Sequence, residues 1–115
     1  MTIEIYGIPN CGTVKKARGW LEAAGLAYQF HDYKREGADA ARLARWAERV
    51  GWERLLNRAG TTYRKLPAEV RDVQDRDAAI ALMVAHPSLI RRPVVEHGDD
   101  VLVGFSSDMW DEALR

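Results

Sequence analysis

"TIEIYGIPNCGTVKKARGWLEAAG", residues 2–25, holds the chain's single cysteine at the point where one side-chain pattern gives way to another. Upstream, Ile3, Ile5, Tyr6 and Ile8 form a short β-rich run, which the Gly7-Ile8-Pro9-Asn10 stretch interrupts. Downstream, Val14, Ala17, Leu21 and Ala24 recur at spacings of three and four, and Gly25 stands where a helix-ending glycine belongs. Cys11 is therefore expected at a corner between a strand and the helix that follows it.

"LAYQFHDY", residues 26–33, then places Leu26, Tyr28 and Phe30 on one face of a second strand, so the opening reads as a βαβ unit. Asp39 is a plausible N-cap and Gly51 a plausible stop for a helix carrying Leu43, Trp46, Ala47 and Val50. "WERLLNRAG" and "TTYRKL" read as short helical pieces, and Asp75 as the cap of a longer helix with Ala79, Leu82 and Met83 that runs up to His86-Pro87. "RPVVEHGDDVLVGF" contains two β-rich runs joined by a His-Gly-Asp-Asp turn, a hairpin signal, and "SSDMWDEALR" reads as a capped terminal helix. Trp46 and Trp110 are expected in cores.

This order predicts an α/β fold, a mixed four-stranded sheet covered by helices, which is the thioredoxin-like, or glutaredoxin-like, plan with an inserted helical subdomain. One domain is expected over residues 1–115, with the insertion at about 38–88; 115 residues, 47% of them hydrophobic, suffice for a core without metal or disulfide. Seventeen basic residues balance seventeen acidic ones, so no global field favours nucleic acid or an anionic membrane. No apolar run approaches the ~20 residues of a membrane-spanning helix, and the first residues lack the pattern of a signal peptide. A monomer in the reducing cytoplasm is the expectation. His31, His86 and His97 share no metal-ligand spacing, so neither a metal nor a bound cofactor is expected.

A lone cysteine is most often a small buried hydrophobe. At this corner the polar Asn10, Gly12 and Thr13 favour a reactive thiol instead. Unpaired backbone N–H groups and the helix dipole favour thiolate over thiol there, and Lys15 and Lys16 would lower its pKa further from a free value of ~8.5. Thr13 could offer a hydroxyl or an N–H to the sulfur, and Gly12 leaves the approach open. Arg92-Pro93 precedes the first hairpin strand; a cis bond there would present backbone to a thiol substrate, while trans is the more frequent state of such bonds. Arg91 and Arg92 add charge for a carboxylate or oxyanion. His31-Asp32 is read as a partly exposed strand end rather than a catalytic pair.

The blocks "YGIPNCGTVKKARGWL", "YQFHDYKREG", "LLNRAGTTYRKL", "HPSLIRRPVV" and "LVGFSSDMW" together resemble the arsenate reductase (ArsC) family, most of all its small YffB-like members, with the regulator Spx a more distant relative. The resemblance implies the thioredoxin-like fold with a helical insertion and places the family's nucleophile at Cys11. Glutathione-coupled arsenate reductases hold the oxyanion with three arginines. Arg92 fits the second, whereas Asn57 and Gly104 stand at the first and third, and Gly7 and Val14 replace a histidine and a serine that flank the nucleophile. The resemblance therefore implies first a glutathione-dependent thiol-disulfide reductase with one nucleophilic cysteine. Glutathione would be co-substrate, a disulfide or glutathionylated thiol the substrate, and Arg58, Arg92 and Pro93 the glutathione-binding residues. Arsenate reduction ranks second and a Spx-like interaction protein third; the Spx switch needs a Cys-x-x-Cys pair, and its second position here is Val14.

Overall fold

The computed structural model describes residues 2–115. Its elements are β1 (Ile3–Gly7), α1 (Gly12–Ala23), β2 (Tyr28–Asp32), α2 (Tyr33–Glu36), α3 (Ala40–Val50), α4 (Trp52–Leu55), α5 (Thr61–Arg64), α6 (Ala68–Arg71), α7 (Arg76–Ala85), a 3-10 turn (Pro87–Leu89), β3 (Val94–His97), β4 (Asp100–Val103) and α8 (Ser107–Leu114). The contacts divide them into two compact units, one of residues up to 36 together with 92–115, the other of residues 37–91.

The first unit is built on a four-stranded sheet in the order β2-β1-β3-β4. β1 and β2 run parallel through the α1 crossover, and β1 pairs antiparallel with β3, which pairs antiparallel with β4. This mixed sheet is the thioredoxin-like arrangement. α1 forms because Val14, Ala17 and Leu21 make one buried stripe, and it ends at Gly25, whose φ of +73° suits glycine. Ala17 and Leu21 of that stripe pack with Ile3, Ile5, Val95, Trp110 and Leu114 into a core with Trp20, Leu26, Tyr28 and Phe30 at its margin. The β3–β4 turn is tighter than expected: His97 pairs with Asp100, leaving Gly98-Asp99 as the loop, with Gly98 at φ +62°. Ser106 caps α8 by accepting a hydrogen bond from the Met109 N–H.

In the second unit α3 packs on α4 and α7. Asp39 caps α3, Gly51 (φ +87°) ends it, and Asp75 caps α7 by accepting from Ala78 N–H at 2.8 Å. Leu43, Trp46, Leu55, Ala79 and Met83 are buried. A lone bridge between Leu56 and Ile90, flanked by hydrogen bonds from Asn57 N–H to Leu89 O (2.8 Å) and Arg91 N–H to Leu55 O (2.7 Å), ties α4 to the end of the unit. The four-residue helices α2 and α6 have too few apolar positions to announce themselves in the sequence. Among the described residues no helix is long and apolar enough to cross a membrane.

Candidate functional site: the Cys11 corner

Cys11 is the N-cap residue of α1, extended at φ −79° and ψ 126°. Its N–H donates to Ile8 O at 3.1 Å, which closes the turn out of β1, and its carbonyl accepts from Lys15 N–H at 3.0 Å, which opens the helix. The backbone on both sides of the sulfur is thus fixed, while Cys11 itself remains partly exposed.

Partial burial alone pushes the Cys11 thiol up. The Val14 N–H, the Arg92 guanidinium and the Thr13 N–H together outweigh it, so the thiol sits below its ordinary pKa. No capping hydrogen bond of strict geometry reaches the side chain; the amides act on the sulfur as aligned dipoles at the helix start. Neither Lys15 nor Lys16 is among the groups that lower the thiol, a departure from the sequence expectation. Both are exposed, where water screens their charge. Arg92 acts because the start of β3 brings it to the sulfur.

The Arg92-Pro93 peptide bond is cis, the rarer of the two states left open by the sequence. Pro93 is buried and its carbonyl accepts from Gly104 N–H at 2.8 Å, so the turn before β3 is pinned to the end of β4. Gly12 is exposed, and a methyl carbon added to it would meet nothing within 4 Å. Gly104 has φ +80°, a conformation that L side chains rarely adopt, so an arginine at that position would strain the chain. Cys11, Thr13, Val14 and Arg92 therefore come together. Arg58 lies in the second unit, exposed, with its guanidinium 5.6 Å from the centre of the Trp52 ring. Asn57 closes its own turn by accepting from Ala59 N–H at 3.1 Å.

Two features escaped the sequence. His31 is partly exposed near the end of β2, as expected, but it is also clamped: its Nε2 lies 2.9 Å from Glu4 Oε1 and its Nδ1 3.0 Å from Glu36 Oε1, while its ring stacks on Tyr6 at 4.5 Å. Burial pushes this histidine down, but the two carboxylates outweigh burial and raise it. The strand register places it there, since Tyr6 pairs with His31 and Glu4 with Gln29 on the same sheet face, and no local signal in the sequence announces that register. Second, Val14 fills the space beside Gly7, where a methyl carbon would lie 2.8 Å from Val14 Cγ2. Among the described residues no group of three or more His, Cys, Asp or Glu is placed to hold a metal ion.

Against known proteins the chain matches the ArsC family over residues 6–113. An uncharacterised Haemophilus influenzae protein is 35% identical over 112 residues, covering 97% of this chain and 98% of that protein. The regulator Spx 1 of Lactococcus lactis is 23% identical over 108 residues, covering 92% of this chain and 84% of Spx 1. Among solved structures, a protein named YFFB superposes with a TM-score of 0.96 at 50% identity, covering 99% of this chain and all of its own. An arsenate reductase from Vibrio cholerae superposes with a TM-score of 0.85 at 27% identity, covering 99% and 98%. A thioredoxin-like sheet with its cysteine at the start of the first helix, matched along nearly its whole length, makes this chain a member of the ArsC family.

Proposed function

We propose that the protein is a glutathione-dependent thiol-disulfide reductase that works through Cys11 alone. The observation that carries this reading is the lowered pKa of a partly exposed thiol, held between the first amides of α1 and the Arg92 guanidinium. Cys11 thiolate attacks one sulfur of a disulfide or glutathionylated thiol; the S–S bond breaks, the leaving sulfur departs as thiolate, and Cys11 is left in a mixed disulfide. A glutathione thiolate then attacks the sulfur bonded to Cys11 and releases Cys11 as thiolate; the product is oxidised glutathione when that sulfur is glutathionyl, and otherwise a substrate–glutathione disulfide, which a second glutathione thiolate converts to substrate thiolate and oxidised glutathione. Arg92 serves both steps, stabilising the Cys11 thiolate as nucleophile and as leaving group. The chain has no second cysteine to resolve the adduct, so the resolving thiol comes from solution. A reducing compartment such as the cytoplasm suits this cycle.

Arsenate reduction is the weaker reading. Oxyanion binding by arginine depends on charge-assisted, bidentate contacts, and neither Asn57, engaged in its own turn, nor Gly104, at positive φ, supplies them. A Spx-like interaction role is favoured by sequence kinship only, and Val14 is fully buried where a second thiol would be needed.

The test is intact-mass analysis after incubation with oxidised glutathione at neutral pH, beside Cys11→Ser. One adduct on the wild type, removed by reduced glutathione, is expected. No adduct, or one that appears only where an ordinary free thiol would ionise, would sink the reading.

A further inference from the structure

A cleft of about 510 Å³ opens in the first unit beside the turn that carries Cys11, lined by Pro9, Arg18, Phe30, Asp32, Arg35 and Glu36. Its charges are balanced, two guanidiniums and two carboxylates. Arg18 donates from Nε to the Tyr28 hydroxyl at 3.1 Å and stacks on Phe30, its guanidinium carbon 4.2 Å from the ring centre. Among the described residues its outer nitrogens make no hydrogen bond, and Arg35 makes neither a hydrogen bond nor an ion pair. Asp32 accepts from Lys34 N–H through Oδ1 at 2.9 Å, and its second oxygen has no partner among the described residues. Glu36 is held at one wall by His31.

Free guanidinium donors and a free carboxylate oxygen in one cleft match a ligand that carries both an anionic and a cationic end. A simple anion would meet Asp32 and Glu36, and a simple cation would meet Arg18 and Arg35. We propose that this cleft binds the free α-amino-acid end of a small thiol or disulfide ligand, its carboxylate on Arg35 and the outer nitrogens of Arg18, its ammonium on Asp32. Phe30 and Pro9 form the apolar floor under the ligand's carbon chain. Pro9 is two residues before Cys11, so the cleft and the thiol share one turn. The assignment rests on the thiol-reductase reading for the kind of ligand, while the binding itself needs no reaction.

The experiment uses Cys11→Ser, in which covalent capture is impossible, titrated with oxidised glutathione and followed by backbone amide shifts. Shifts are expected on Arg18, Phe30, Asp32 and Arg35. Arg35→Gln, at an exposed position, and Asp32→Asn, at a half-buried one, should each weaken binding by about tenfold, the loss of one charge-assisted contact, and Arg35→Lys should retain most of it. Oxidised glutathione acetylated at both amines should bind as weakly as it does to Asp32→Asn. Shifts centred elsewhere, or equal affinity for the acetylated compound, would overturn the assignment, and so would equal occupancy of the same amides by inorganic phosphate. The wild-type mass experiment separates the two claims: an adduct without cleft binding overturns the cleft and leaves the reductase, whereas cleft binding without an adduct does the reverse.

Discussion

A methyl carbon built on Gly7 would stand 2.8 Å from Cγ2 of Val14, closer than real contacts of this kind. Two apparent departures from the arsenate reductase pattern, glycine for histidine and valine for serine, are thus one packing arrangement. Val14 is fully buried and β-branched, and it occupies the volume that a side chain at position 7 would need. Gly7→Ala is expected to destabilise the protein by about 1 to 3 kcal/mol through overpacking. Val14→Ala should relieve part of that cost, with a coupling of about 1 kcal/mol in a double-mutant cycle measured by urea unfolding. Additive effects would show that the backbone yields instead.

Arg92→Gln should raise the Cys11 pKa, because both the hydrogen bond and the charge of Arg92 favour the thiolate. Iodoacetamide alkylation followed against pH reads this directly: the midpoint moves upward and the rate at neutral pH falls severalfold. Lys15→Gln should leave the profile in place. The opposite ranking of the two variants would return the lysines to the role that the sequence suggested for them.

His31 couples stability to pH. Its pKa is raised in the fold by Glu4 and Glu36 against the opposing effect of burial. The contribution is therefore fully present below the unfolded value of about 6.5 and is lost as pH rises through the folded value. The reason is geometric: both ring nitrogens face carboxylate oxygens, and only the imidazolium donates to both. The difference in unfolding free energy between wild type and His31→Gln should be larger at pH 6 than at pH 9. A difference that does not change with pH would mean that the clamp adds nothing as an ion pair.

Trp110 anchors the far end of the first unit. It is fully buried, its Nε1 donates to Gly104 O at 3.1 Å, and Phe105 and Trp20 meet its ring edge to face at 4.9 and 5.9 Å. Trp110→Ala should cost about 3 to 5 kcal/mol. Trp110→Phe should cost less, since it keeps part of the ring packing and loses the remainder together with the hydrogen bond to the Gly104 carbonyl. Urea denaturation curves of the two variants check this ranking, and equal losses would contradict it.

What the sequence determined by itself is what local chemistry controls. The α1 stripe of Val14, Ala17 and Leu21, the caps at Asp39, Asp75 and Ser106, the stops at Gly25 and Gly51 and the hairpin around Gly98 all follow from periodicity and backbone preference within a few residues. These place Cys11 at the start of a helix behind a strand. Tertiary structure decided which charges reach the sulfur: Arg92, eighty-one positions along the chain, outweighs Lys15 and Lys16 four and five positions away. Strand pairing across the sheet set β3 beside β1, whereas the lysines on α1 point into water. The pairing of β1 with β2 likewise brought His31 beside Glu4, with Glu36 at its other ring nitrogen. Contacts of this kind depend on register between distant segments, and local patterns carry no record of register.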